Sequence, residues 1–100
     1  MPRVYIPNKN LNDYTNAARW GELVYVTEGH VRLTDVDNLL DNIDSLLFDS
    51  SPDDLIIMSG PYSITAVLCT VFALKHNCLN ILIYINGKYV KRELDLSRVG

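Results

Sequence analysis

Leu55-Ile56-Ile57-Met58, then Ser59-Gly60-Pro61, then a long apolar run to His76, then Ile81-Leu82-Ile83-Tyr84-Ile85: this stretch decides the fold. Four consecutive apolar residues after the polar loop Ser50-Ser51-Pro52-Asp53-Asp54 fit a short strand buried on both faces. Ser59-Gly60 ends it, because Gly60 can take backbone angles closed to other residues. Pro61 suits the first helical position, where a missing N–H costs nothing. Tyr62 to His76 holds no proline or glycine and is too long for a typical strand, so it predicts a helix. Lys75 and His76 sit at the negative end of its dipole, and Asn77 suits the cap. Asn80 to Ile85 then returns as a second buried strand. Strand, crossover helix and strand in this order predict a right-handed parallel unit.

The predicted helix is apolar almost all round. Only Ser63, Thr65, Thr70 and Lys75 interrupt its hydrophobic residues between Tyr62 and His76. Such a helix is buried, either under other parts of its own chain or against a second copy. A chain of 100 residues has little material to cover an outer side. The expectation is therefore self-association, a homo-oligomer built through Ile64, Val67, Leu68, Val71 and Phe72.

Outward from this unit, Arg3-Val4-Tyr5-Ile6 is a short β-type run that Pro7 is expected to end. Asp13 to Trp20 predicts a short helix, with Asp13 as its cap and Gly21 as its stop. Glu22 to Thr27 is a strand by its β-branched and aromatic content, and Glu28-Gly29-His30 is a turn. Thr34 to Phe48 predicts a second long helix. Val36, Leu39, Leu40, Ile43, Leu46 and Leu47 form its apolar stripe, and Thr34 with Asp37 approximates a capping box. Its Asp37, Asn38, Asp41, Asn42 and Ser45 read as a solvated face. Asn86-Gly87 suits a two-residue hairpin turn, after which Lys88 to Leu94 returns as a charged antiparallel edge strand. Residues 95–100 read as a loose tail.

The order β-α-β-α-β-α-β-β predicts one α/β domain over residues 1–100, a small three-layer sandwich of Rossmann-like or flavodoxin-like type. The expected strand order is 2-1-3-4-5, mainly parallel with an antiparallel C-terminal edge strand.

The formal charge is -3 with 48% apolar residues, which supports a real core and argues against a nucleic-acid or membrane-surface binder needing a basic field. Cys69 and Cys78 are the whole cysteine inventory, too few for a disulfide scaffold and without metal spacing. They read as reduced core residues in a cytoplasmic protein. The start Met1-Pro2-Arg3-Val4 has no signal-peptide core, and the nearly uncharged run Tyr62 to Leu74 is too short to span a bilayer.

In an open sheet of this order, ligands sit beyond the carboxyl ends of the first and third strands. The loops there contain Asn8 and Lys9, and Ser59, Gly60, Tyr62 and Ser63. The second loop opens the central helix, whose free N–H groups and dipole could hold a small anionic ligand. The signal is unspecific: there is no dinucleotide or P-loop glycine motif. A hydrolase reading lacks the G-x-S-x-G frame around Ser59. His76 lies roughly 20 Å from Ser59 along the helix, out of reach as a base. No motif pairs carboxylates, no spacing suggests a metal, and no cofactor is implied. Trp20 and Tyr14 read as packing residues.

Asp13-Tyr14, Gly21-Glu22-Leu23-Val24, Asp53 through Pro61, Leu79-Asn80-Ile81-Leu82-Ile83-Tyr84 and Lys88-Tyr89-Val90 together resemble small accessory proteins encoded in tailed-phage genomes, with a Rossmann-like fold. The likeness spans most of the chain. It implies a phage accessory protein in the bacterial host cytoplasm, and it brings no catalytic residues.

The expected function is therefore non-enzymatic: a self-associating phage-type protein that acts by binding a host or phage protein. The alternative is a small-molecule or nucleotide-binding domain that uses the loops after strands 1 and 3.

Overall fold

The computed structural model describes residues 1–29 and 34–100. Its elements in chain order are β1 (Arg3–Lys9), a 3-10 helix (Thr15–Trp20), β2 (Glu22–Glu28), α1 (Val36–Leu46), β3 (Leu55–Ile57), α2 (Tyr62–His76), β4 (Cys78–Ile85), β5 (Lys88–Asp95) and a 3-10 turn (Leu96–Arg98). The strands form one sheet in the order β2-β1-β3-β4-β5. All neighbours pair in parallel except β4 and β5, which are antiparallel. The α/β class, the strand order and the antiparallel last strand agree with the expectation from the sequence.

The first crossover steps one way along the sheet, from β1 to β2, and the next two step the other way. Right-handed crossovers put such connections on opposite faces. Accordingly α1 and α2 pack on one face over Tyr5 and Ile56, with Leu39, Ile43, Leu47, Ile64, Leu68, Val71 and Phe72 filling the space. The 3-10 helix lies on the other face, where Tyr14 and Ala17 meet Val4, Ile6, Leu55, Ile57 and Leu82. Period-2 alternation assigns Val4 and Ile6 to one core and Tyr5 to the other. Among the described residues the second face has only six residues of helix to cover it, and Trp20, Leu23, Tyr25 and Tyr89 there stay partly exposed.

Several boundaries differ from the sequence reading. β1 runs through Pro7 to Lys9. β3 pairs with β1 only at Val4 and Tyr5, so beyond that point a missing N–H on that side costs no ladder bond. The cap of α1 is Asp35, whose carboxylate accepts the Asn38 N–H at 3.3 Å, and not Thr34. Pro61 stands one place before α2 in an extended conformation. Asp13 also acts one residue early: Oδ1 accepts the Thr15 N–H at 2.9 Å, while Tyr14 holds the cap position of the 3-10 helix. Beyond β5, Asp95 Oδ1 accepts from Ser97 N at 3.1 Å and Leu96 N donates to Asn77 O at 3.3 Å, so these residues fold back on the body. In the expected turn Glu28-Gly29-His30, His30 lies outside the described residues.

The helix α2 itself spans the expected residues, with Asn77 at its left-handed cap (φ 54°). Its expected self-association surface needs correction. Ile64, Leu68, Val71 and Phe72 are buried in the chain's own core, and Val67 is packed at its margin. Their spacing puts them on one stripe, which the sheet and α1 cover. The outer side carries Tyr62, Ser63, Ala66, Thr70 and Leu74. Only Tyr62 and Leu74 are large there, at opposite ends.

Candidate functional site

The carboxyl ends of β1 and β3 meet as the strand order requires. Asn8 is buried, with Nδ2 donating to Gly29 O at 3.0 Å. The Thr27 hydroxyl lies 2.7 Å from Pro7 O and 2.8 Å from Asn8 Oδ1. A Cβ at Gly60 would make only ordinary contacts with β1, 3.6 Å from Pro7 Cβ and 3.8 Å from Asn8 Cβ, so it is the left-handed φ of +77° that calls for glycine. Ser59 Oγ donates to the Tyr14 hydroxyl at 3.3 Å, and Thr65 Oγ1 donates to Ser59 O at 2.7 Å. The Lys9 ammonium stands 5.5 Å from the Tyr25 ring centroid. Tyr62 and Ser63 are exposed. Of the six candidates, Asn8 and Ser59 thus spend their polar atoms inside the fold. Gly60 supplies the positive φ of the turn, and Lys9, Tyr62 and Ser63 remain at the surface.

The polar centre of this end is Tyr14, only 4% exposed. Besides Ser59, its hydroxyl accepts from Asn10 Nδ2 at 3.2 Å. Burial acts to raise its pKa, but hydrogen bonds from Ser59, Asn12 and Asn10 outweigh it and bring it below the usual tyrosine value. Beside it a cleft of about 340 Å³ is lined by Asn12, Asp13, Tyr14, Asn16, Tyr84 and Tyr89. Tyr84 and Tyr89 face each other across the β4–β5 hairpin, edge to face, with ring centroids 5.1 Å apart. Tyr84 is 59% exposed. Burial raises the Tyr89 pKa, and Tyr14, Tyr84 and Asp13 add to the rise. The Asp13 carboxylate is held below its ordinary range by the Thr15 backbone N–H and hydroxyl.

A second groove, about 220 Å³, adjoins the first through Asn16 and Tyr89, and is lined also by Arg19, Trp20, Gly87 and Lys88. The hairpin turn shapes it, with Asn86 at φ 50° and Gly87 at φ 81°. The Arg19 guanidinium lies 5.5 Å from the Trp20 ring centroid. Trp20 Nε1 is buried with no acceptor among the described residues. Tyr14 packs in the core as the sequence suggests, and it also lines this cleft, which local sequence pattern does not show. One signal was available across the hairpin: a two-residue Asn86-Gly87 turn pairs Ile85 with Lys88, and hence Tyr84 with Tyr89.

One contact joins a serine to a histidine. Ser50 Oγ lies 2.7 Å from His76 Nε2 and 2.7 Å from Leu47 O. The hydroxyl has one proton to give, and the tautomer of His76 sets whether Nε2 accepts it or donates to Ser50 Oγ. The pair closes the carboxyl ends of α1 and α2 together.

The amino ends of β3 and β4 border a cleft of about 580 Å³, whose charged lining residues are Asp53, Lys91, Glu93 and Asp95. Asn80 Nδ2 spans its floor, donating to Pro52 O at 2.6 Å and to Asp54 O at 2.9 Å. The Cys78 thiol is pushed up by burial and then by Asp53, Asp95 and Glu93. Among the described residues no group of three or more His, Cys, Asp or Glu could hold a metal ion. None of the described helices is long and apolar enough to cross a membrane.

A protein family described as Phage Pam3 gp32-like protein matches residues 2–96. The chain belongs to that family. Membership makes it a small phage-type protein, in agreement with the resemblance drawn from its sequence. The match takes in all three clefts, the switch-point loops and every strand described. The family description names no activity, and no residue role passes to this chain from it. No match was found among curated proteins, and none among solved structures.

Proposed function

We propose that this phage protein is non-enzymatic and self-associating, and that it acts by binding protein chains in the host cytoplasm. The observation that carries the reading is the contrast between the two edges of the sheet. β5 presents Lys88, Lys91, Arg92, Glu93 and Asp95, the kind of charge that keeps an edge from pairing. β2, at the other edge, reads Leu23-Val24-Tyr25-Val26-Thr27 between Glu22 and Glu28. It has no proline and no internal charge, and it pairs with β1 alone among the described residues. A row of unpaired N–H and C=O groups of this kind is a template for an added strand.

The occupant we favour is β2 of a second copy, antiparallel about a two-fold axis. Centring the pairing on Val24 sets Glu22 opposite Val26, so Glu22 and Glu28 of the two copies do not face each other. The non-enzymatic part of the reading is supported by the hydroxyl of Ser59, which donates to Tyr14. The runner-up, a small anion held by the loops after β1 and β3, draws on one observation: Pro61 gives α2 no side-chain cap, which leaves first-turn N–H groups for a ligand.

Native mass spectrometry and sedimentation velocity over a wide concentration range test the proposal. A dimer that dissociates on dilution is expected. A strict monomer at the highest soluble concentration overturns it.

A further inference from the structure

The geometry points to a binding site for a free nucleoside monophosphate in the adjoining clefts under the β4–β5 hairpin, with the base against Tyr84 and Tyr89 and the phosphate between Arg19 and Lys88. The two grooves, about 340 and 220 Å³, share Asn16 and Tyr89. Taken together, the two fall in the range of roughly 300–1,000 Å³ typical of small-molecule sites, although the second alone lies below it.

Each part of the lining restricts the ligand. The exposed Tyr84 ring, set against Tyr89 at 5.1 Å, offers an aromatic face with few polar atoms, and a flat heterocycle stacks on such a face. Asp13 is held ionised by its bonds from Thr15. It accepts hydrogen bonds only, so the ligand must present donors there, as ribose hydroxyls and base N–H groups do. Asn16, common to both grooves, supplies a donor and an acceptor between them. Arg19 and Lys88 form no ion pair among the described residues, and both border the second groove.

The alternatives satisfy fewer of these groups. A simple sugar leaves the two cations unused. An organic cation fits the tyrosines and Asp13 but is repelled by Arg19 and Lys88. A nucleic-acid strand would run its phosphates over a chain of net charge -3. The site lies by β5, across the sheet from β2, so it stands or falls independently of self-association.

The test is amide chemical-shift mapping on the full chain. The probes are each of the four common nucleoside 5′-monophosphates, adenosine, inorganic phosphate and a short oligothymidylate. At least one mononucleotide is expected to shift Tyr84, Gly87, Lys88 and Tyr89 together with the Trp20 indole signal. Adenosine should bind more weakly, and phosphate should produce no comparable shifts. Tyr84→Ala and Lys88→Glu change exposed side chains, and unchanged signals from Leu82 and Ile56 will show that the fold persists. Each should weaken nucleotide binding about tenfold or more. The inference is overturned if no mononucleotide shifts these signals, if phosphate alone shifts them equally, or if both variants bind as the parent does. Tighter binding of the oligothymidylate than of any mononucleotide also overturns it.

Discussion

The Tyr14 hydroxyl accepts a hydrogen bond from Ser59 Oγ at 3.3 Å, and this bond fastens the 3-10 helix on one face of the sheet to the carboxyl end of β3. Tyr14→Phe keeps the buried ring and removes the hydroxyl. A loss of about 1 kcal/mol is expected, since a typical buried hydrogen bond contributes about that much. In a double-mutant cycle with Ser59→Ala, denaturant unfolding should show coupling between the two positions. Strictly additive losses would mean the bond contributes nothing.

Gly21 joins the 3-10 helix to β2 where the chain passes the N-terminus. A Cβ there would stand 2.3 Å from Pro2 O and 2.8 Å from Pro2 C, both backbone atoms, while the Glu22 N–H donates to that same carbonyl at 2.9 Å. Gly21→Ala must push β2 away from Pro2 or break that bond. It should cost about 2 kcal/mol or more, at the severe end for single substitutions. Gly87→Ala serves as the contrast: nothing lies within 4 Å of its Cβ, so only the left-handed backbone resists, about 1–2 kcal/mol. Equal melting temperatures for parent and Gly21→Ala would contradict the packing described.

Arg3 Nη1 and Nη2 reach Asp49 Oδ1 at 2.9 Å and Oδ2 at 3.2 Å. The hydrogen bond and charge of Arg3 hold the Asp49 carboxyl below its ordinary value. A carboxyl whose value is lower folded than unfolded adds stability above the unfolded value and loses it as pH falls through the folded one. Asp49→Asn should therefore lower the melting temperature slightly at neutral pH, and the gap to the parent should close below the ordinary carboxylate range. A gap that persists unchanged at low pH would point to packing instead.

Burial pushes the Cys69 thiol up to about 11, and Cys78 is raised in direction as well. Alkylation proceeds through the thiolate, so at neutral pH both should react far more slowly than a free thiol. Denaturant should restore the ordinary rate at Cys69. Rapid labelling of Cys69 in the folded chain would show that the core over α2 opens readily.

The central unit was legible because its signals are local. Three apolar residues fill β3, Gly60 takes the positive φ its turn needs, and Tyr62 to His76 has no breaker before Asn77. The strand order followed from alternation and crossover handedness. What the sequence hid depended on tertiary context. Pro7 continues β1 because β3 is too short to border it. The apolar circumference of α2 read as an open surface because composition does not say that Leu68 and Phe72 face α1 and the sheet while Ala66 and Thr70 face outward. At the candidate site, the two loops were placed correctly at one end of the sheet. The bond of Ser59 to Tyr14 and the burial of Asn8 were not readable, because both join residues far apart in sequence.

The most direct test of the central claim is hydrogen exchange at the amides of Glu22–Glu28, measured at low and high protein concentration. If copies join along the β2 edge, these amides gain protection as concentration rises, while those of β5 and α2 do not. Association that leaves Glu22–Glu28 unchanged, or protects the outer side of α2 instead, would contradict the account.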